Sequence, residues 1–125
     1  MPRNQFGYQQ AIGGSYAGFF TYGGGITPVG AKEYIATAIT PLISGKFYEV
    51  SISLNLSNNS SYGSDGIGVL FYKNYPDTIF SGLNVGRVPQ VKYDRYGVVI
   101  DTTKWRRLKG YVLADSAYHH LVIGQ

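Results

Sequence analysis

Residues 46–56, KFYEVSISLNL, constrain this chain more than any other stretch. Tyr48, Val50, Ile52, Leu54 and Leu56 alternate with Glu49, Ser51, Ser53 and Asn55, and that alternation matches the two-residue side-chain repeat of an extended chain. A helix would scatter the five apolar residues around its circumference. The segment therefore reads as a strand with one face in a core and the other turned away from it.

The flanking sequence supplies partners. Residues 16–22 (YAGFFTY), 33–39 (EYIATAI), 66–73 (GIGVLFYK), a short piece at 90–93, and residues 98–100, 105–113 and 118–123 read as further strands. Between them stand turn-formers: Gly23, Gly24, Gly25, Pro28 and Gly30; Pro41 and Gly45; the polar run from Asn58 to Gly63. Residues 74–95, with Pro76, Gly82, Gly86 and Pro89, read as an excursion across one face. Ala114, Asp115 and Ser116 form a turn expected to join the last two strands as a hairpin. No stretch carries a helical period and no repeat is visible. Seven or eight short strands predict one domain over residues 1–125, all-β, an antiparallel β-sandwich of jelly-roll type.

Composition narrows the chemistry. Without cysteine the chain has no disulfide framework, no thiolate metal site and no cysteine nucleophile. The formal charge of +4 is too small to argue for nucleic acid. In the cluster Lys104, Arg106, Arg107 and Lys109, moreover, Arg107 and Lys109 share a strand face while Arg106 lies opposite, as expected of charges guarding an edge strand. No apolar run reaches the roughly 20 residues of a membrane-spanning helix, so no membrane insertion is expected. The start, Met-Pro-Arg-Asn, lacks the apolar core of a signal peptide.

The reactive residue types do not assemble into a catalytic pattern. His119 and His120 are strand neighbours that point to opposite faces, which is unsuited to closing on one ion. Asp65, in Ser-Asp-Gly, and Asp101, before two threonines, suit the holding of loop backbone better than an acid/base pair. Trp105 reads as a core plug ahead of a sugar platform. The residues best suited to recognition are loop tyrosines with polar neighbours, because the apolar face of a sugar ring stacks on an aromatic while its hydroxyls meet amides, carboxylates or guanidinium groups. The candidate ligand-binding set is Tyr62, Asp65, Tyr75, Tyr93, Asp94, Arg95 and Tyr96, against the plainer reading that these rings only cover irregular loops. No catalytic residue, cofactor or metal is assigned, and the chain is read as not an enzyme.

Five segments in order, FGYQQAIGGSYAGF, KEYIATAITPLISGKFYEVSISLNL, SYGSDGIGVLFYK, VPQV and DTTKWRRLKGYVLADSAYHHLVIG, resemble the galactose-binding-like jelly-roll modules of secreted and surface proteins in Bacteroidetes-type bacteria. The resemblance covers nearly the whole chain, and against it both ends look clipped. It implies a non-catalytic carbohydrate-binding module at the bacterial cell surface or outside the cell, with a glycan as partner and Trp105 placed inside. The alternative is a structural module that assembles with protein partners, including copies of itself as a homo-oligomer or filament, through an open sheet edge.

Overall fold

A computed structural model describes residues 3–4, 7–8, 13–21, 32–60, 62–73 and 88–125. The described strands are β1 (Arg3–Asn4), β2 (Gly7–Tyr8), β3 (Ile35–Ala38), β4 (Phe47–Leu54), β5 (Gly68–Tyr72), β6 (Val91–Lys92), β7 (Arg106–Leu113) and β8 (His120–Gly124). A single 3₁₀ turn, Asp94–Tyr96, is the one helical element among them. All pairings are antiparallel: β1 with β2, a four-stranded sheet in the order β3-β8-β5-β6, and a long ribbon of β4 with β7. The protein is thus all-β and sandwich-like, as the alternating segments predict.

The ribbon carries the alternation of residues 46–56. Along β4, Tyr48, Val50, Ile52 and Leu54 are half-buried while Phe47, Glu49, Ser51 and Ser53 are exposed. Opposite them on β7, Leu108 and Val112 are buried and Arg107, Lys109, Tyr111 and Leu113 are exposed. The inner face of the ribbon packs on Val69 and Phe71 of β5, Val91 of β6, and Leu121 and Ile123 of β8, with Ile67, Tyr93 and Val99 completing the core. Leu108, Val69 and Val91 are fully enclosed. Each contributes about 1.5–3 kcal/mol through apolar surface withdrawn from water. A second, smaller cluster on the opposite face of the four-stranded sheet joins Tyr72 and Val122 to Tyr34, Ala36 and Leu70.

One glycine sets how closely the layers meet. A methyl group at Gly110 of β7 would lie 2.3 Å from Val91 Cγ1, so only a residue without Cβ admits β6 at this depth.

Two strand ends are finished by side chains instead of a neighbouring strand. β6 pairs only Val91 and Lys92 with β5, and beyond it the Gln90 amide takes over. Its Oε1 accepts from the Phe71 N–H at 2.9 Å and its Nε2 donates to the Phe71 carbonyl at 3.3 Å. On the outer edge of β7, the Tyr96 hydroxyl accepts from the Lys109 N–H at 2.9 Å and donates to the Lys109 carbonyl at 3.2 Å. Each group imitates one residue of a paired strand and leaves no open ladder position there.

The structure corrects three expectations. Residues 106–113 and 120–124 do not form a hairpin: β7 pairs with β4 in the ribbon, while β8 lies between β3 and β5 in the other sheet. The turn at residues 114–116 is held by Ala114 N–H on the Lys46 carbonyl and Gly45 N–H on the Ala114 carbonyl, and it directs the chain from one layer to the other. Second, the strand expected over residues 16–22 is not formed at the described residues 16–21, where Tyr16 and Phe19 are half-buried at a spacing of three, not two, and Phe20 is exposed. Third, residues 98–100 contribute only one bridge, Ser64 with Val99.

Candidate functional site

The cavity of interest lies at the side of the sandwich, where β3 of one layer stands beside β4 of the other. Its floor is aliphatic: Ile35 of β3, the cross-strand partner Ile123 of β8, and Ile52 and Leu54 of β4. Its walls are aromatic. Tyr16 and Trp105 approach with ring centroids 5.8 Å apart and planes inclined at 57°, and Phe19 closes one end. Ser15, Ala17 and Ser53 complete the lining. The cleft encloses about 340 Å³, at the small end of the roughly 300–1,000 Å³ typical of small-molecule sites.

Each wall is held from behind. The segment bearing Tyr16 and Phe19 is anchored at Phe20, whose N–H donates to Glu33 Oε2 at 2.9 Å and whose carbonyl accepts the Glu33 N–H at 2.8 Å. Glu33 precedes β3, so the segment is fixed to that edge of the sheet. On the other side, Asp101 Oδ1 accepts from Thr103 N–H, Thr103 Oγ1 and Lys104 N–H at 2.9, 3.0 and 2.9 Å, shaping the loop that delivers Trp105. Those bonds, led by the Thr103 N–H, hold the Asp101 carboxyl below its ordinary range. Asn55 Nδ2 donates to the Lys104 carbonyl at 2.9 Å and ties the same loop to the end of β4. The expectation that Asp101 holds loop backbone is met.

Among the described residues, no carboxylate, histidine, lysine or arginine lines the cleft. What it offers a ligand is shape, two inclined aromatic faces, and the hydroxyl of Ser15. Trp105 is half-buried, so it is a wall of this cleft and not the enclosed core plug expected of it.

The tyrosines singled out from the sequence are dispersed. Tyr93 is 2% exposed, and its hydroxyl donates to the Val50 carbonyl at 2.9 Å; it is a core residue and offers no ring to a ligand. Burial, with the neighbouring Tyr96 adding to it, pushes the Tyr93 hydroxyl up to about 12. Tyr96 and Arg95 are committed to the edge of β7: Arg95 Nη2 donates to the Lys109 carbonyl at 2.6 Å and to the Tyr96 hydroxyl at 2.9 Å. The guanidinium groups of Arg95 and Arg106 lie 4.8 and 5.5 Å from the Tyr96 ring centre. The Lys109 backbone, then Arg95, hold the Tyr96 hydroxyl below its ordinary value. Asp94 is exposed, and its carbonyl accepts the Gly97 N–H. Tyr62, 75% exposed, and Asp65 flank the bridge at Ser64, and Asp65 accepts a bond from Gln125 Nε2 at 3.3 Å. Tyr75 lies outside the described residues.

Nothing local in the sequence pairs Tyr16 with Trp105: 89 positions separate the two rings. Among the described residues no group of three or more histidines and carboxylates is placed to hold a metal ion, and no helix is long and apolar enough to cross a membrane. Comparison with protein-family models, with curated proteins and with solved structures finds no match, and the functional reading accordingly rests on the geometry of the cleft and on the sequence resemblance.

Proposed function

We propose that this domain is a non-catalytic carbohydrate-binding module whose ligand site is the cleft between Tyr16 and Trp105. The observation that carries the proposal is the pair of inclined aromatic walls over an aliphatic floor, in a concavity sized for a single ring. A pyranose has the matching form: C–H groups on its faces to lie against rings, and hydroxyls at its rim to meet polar groups such as Ser15. Among the described residues the lining holds no pair of carboxylates of the kind with which most glycoside hydrolases act. The sequence resemblance points to the same ligand class and to a place at the bacterial surface.

A glycan array followed by calorimetry on the best binder tests this. Trp105→Ala and Tyr16→Ala should each weaken binding by about tenfold, the loss of one stacked aromatic contact. Tyr62→Ala, on a ring outside the lining, should leave it unchanged. Absence of heat across a broad glycan set, or equal loss in all three variants, overturns the assignment.

A further inference from the structure

The outer face of the β4–β7 ribbon is open to solvent along its full length: Phe47, Glu49, Ser51 and Ser53 on one strand and Arg107, Lys109, Tyr111 and Leu113 on the other are all exposed. Solvent faces of antiparallel ribbons normally carry polar side chains. Here one end is apolar. Phe47 is 68% exposed, Leu113 60% and Tyr111 48%, and the Phe47 and Tyr111 rings stack nearly parallel, 12° between planes and 5.9 Å between centres. Because Phe47 faces Leu113 directly and Tyr111 on the diagonal, the three make one contiguous patch.

Farther along the same face the character changes to charge. Lys109 and Arg107 follow Tyr111 at two-residue steps, about 7 Å apart along an extended strand. Their partners leave them available. Lys109 meets Glu49 only at 3.9 Å, with both side chains nearly half exposed, and Arg107 donates to the neutral Ser51 hydroxyl at 3.2 Å. Arg95, bonded to the Lys109 carbonyl, adds a third cation at the adjoining edge.

We infer that this face is a second binding surface, separate from the cleft, and that its ligand is an acidic polysaccharide. Such a chain supplies what each end lacks: anionic groups at regular intervals for the cations, and flat C–H faces for the Phe47–Tyr111 stack. Glu49 decides between polyanions. Its carboxylate, in the middle of the row, accepts hydroxyl hydrogens, which a polysaccharide carries on every ring and a DNA backbone lacks.

The experiment uses the intact chain and polygalacturonate, with dextran as the neutral polymer and single-stranded DNA as the competing polyanion. The protein should bind polygalacturonate but not dextran at this face, several-fold more weakly at about 200 mM than at about 50 mM salt. Phe47→Ala should reduce affinity by about tenfold, and Arg107→Gln with Lys109→Gln should reduce it further and flatten the salt dependence. Trp105→Ala should leave this binding intact, so loss of cleft binding and loss of face binding are read separately. Unchanged melting curves verify that the exposed-site variants fold. No binding to polygalacturonate, equal binding to dextran, or preference for DNA overturns the inference. So does a concentration-dependent dimer in light scattering that Phe47→Ala abolishes, since the patch would then belong to a second copy.

Discussion

The contact between the layers at Gly110 can be tested quantitatively. Gly110→Ala places a methyl carbon 2.3 Å from Val91 Cγ1 and 3.3 Å from Tyr93 Cε1, where carbon atoms in contact sit about 3.5–4.0 Å apart. The overlap with Val91 therefore exceeds about 1 Å. Val91 has little room to yield: it is 1% exposed, its β-branched side chain has few rotamers, and its backbone is paired with Val69. Overpacking of this kind costs about 1–3 kcal/mol, and relief from replacing a strand glycine offsets about 0.5–1 kcal/mol of it. A net loss near or above 1 kcal/mol should appear as a lower midpoint in urea with an unchanged slope. Val91→Ala alone should cost about 2 kcal/mol through the methyl groups removed and the space they leave. In the double variant the new methyl at position 110 occupies that space, so the two losses should fall short of additive by about 1 kcal/mol or more. Additivity within about 0.5 kcal/mol would show that the two residues do not collide and that the layers are held apart by something else.

Two further outcomes follow from the polar contacts. Because burial raises Tyr93 from 10.0 to about 12, the unfolded chain loses this proton first as the solution becomes alkaline; its contribution to stability is complete below pH 10 and declines between 10 and 12, and denaturant titrations of Tyr93→Phe should show a shallower decline in that window than the parent. Gln90→Ala should raise amide hydrogen exchange at Phe71 while leaving Leu108 protected; an unchanged Phe71 rate would mean that the Gln90 amide does not close that edge.

What the sequence discloses about this molecule divides along the distance over which each signal acts. The alternation of β4 and β7 is carried by neighbouring residues, and both ribbon faces could be written down residue by residue. Which strand pairs with which is not local: the Ala114–Asp115–Ser116 turn suits a hairpin equally well, and only the competition for Leu108 and Val112 by β4 places β7 in the other layer. Tyr93 ends a short extended piece within what reads as an irregular excursion, and its burial depends on the hollow left by Gly110 on a distant strand. The cleft is legible only after folding, since Tyr16 shares a wall with Trp105 solely because Glu33 and Asp101 hold two separate segments in place. Residues 16–21 have the composition of a strand and lack its ladder, so propensity alone misplaces them.

The order of pairing also dictates when this chain can fold. Apart from β1 with β2 and β5 with β6, every strand pairing described enlists β7 or β8. The ribbon joins residues roughly 50 to 66 positions apart, from Leu54 with Arg106 to Phe47 with Leu113, and β8, the last strand, is an interior member of its sheet. Closing such long loops before any contact compensates for them makes for slow folding. During synthesis β3 and β4 emerge long before β8 and β7, their described partners, so their pairing waits until those strands leave the ribosome, and a premature stop ahead of β8 releases a chain primed to aggregate.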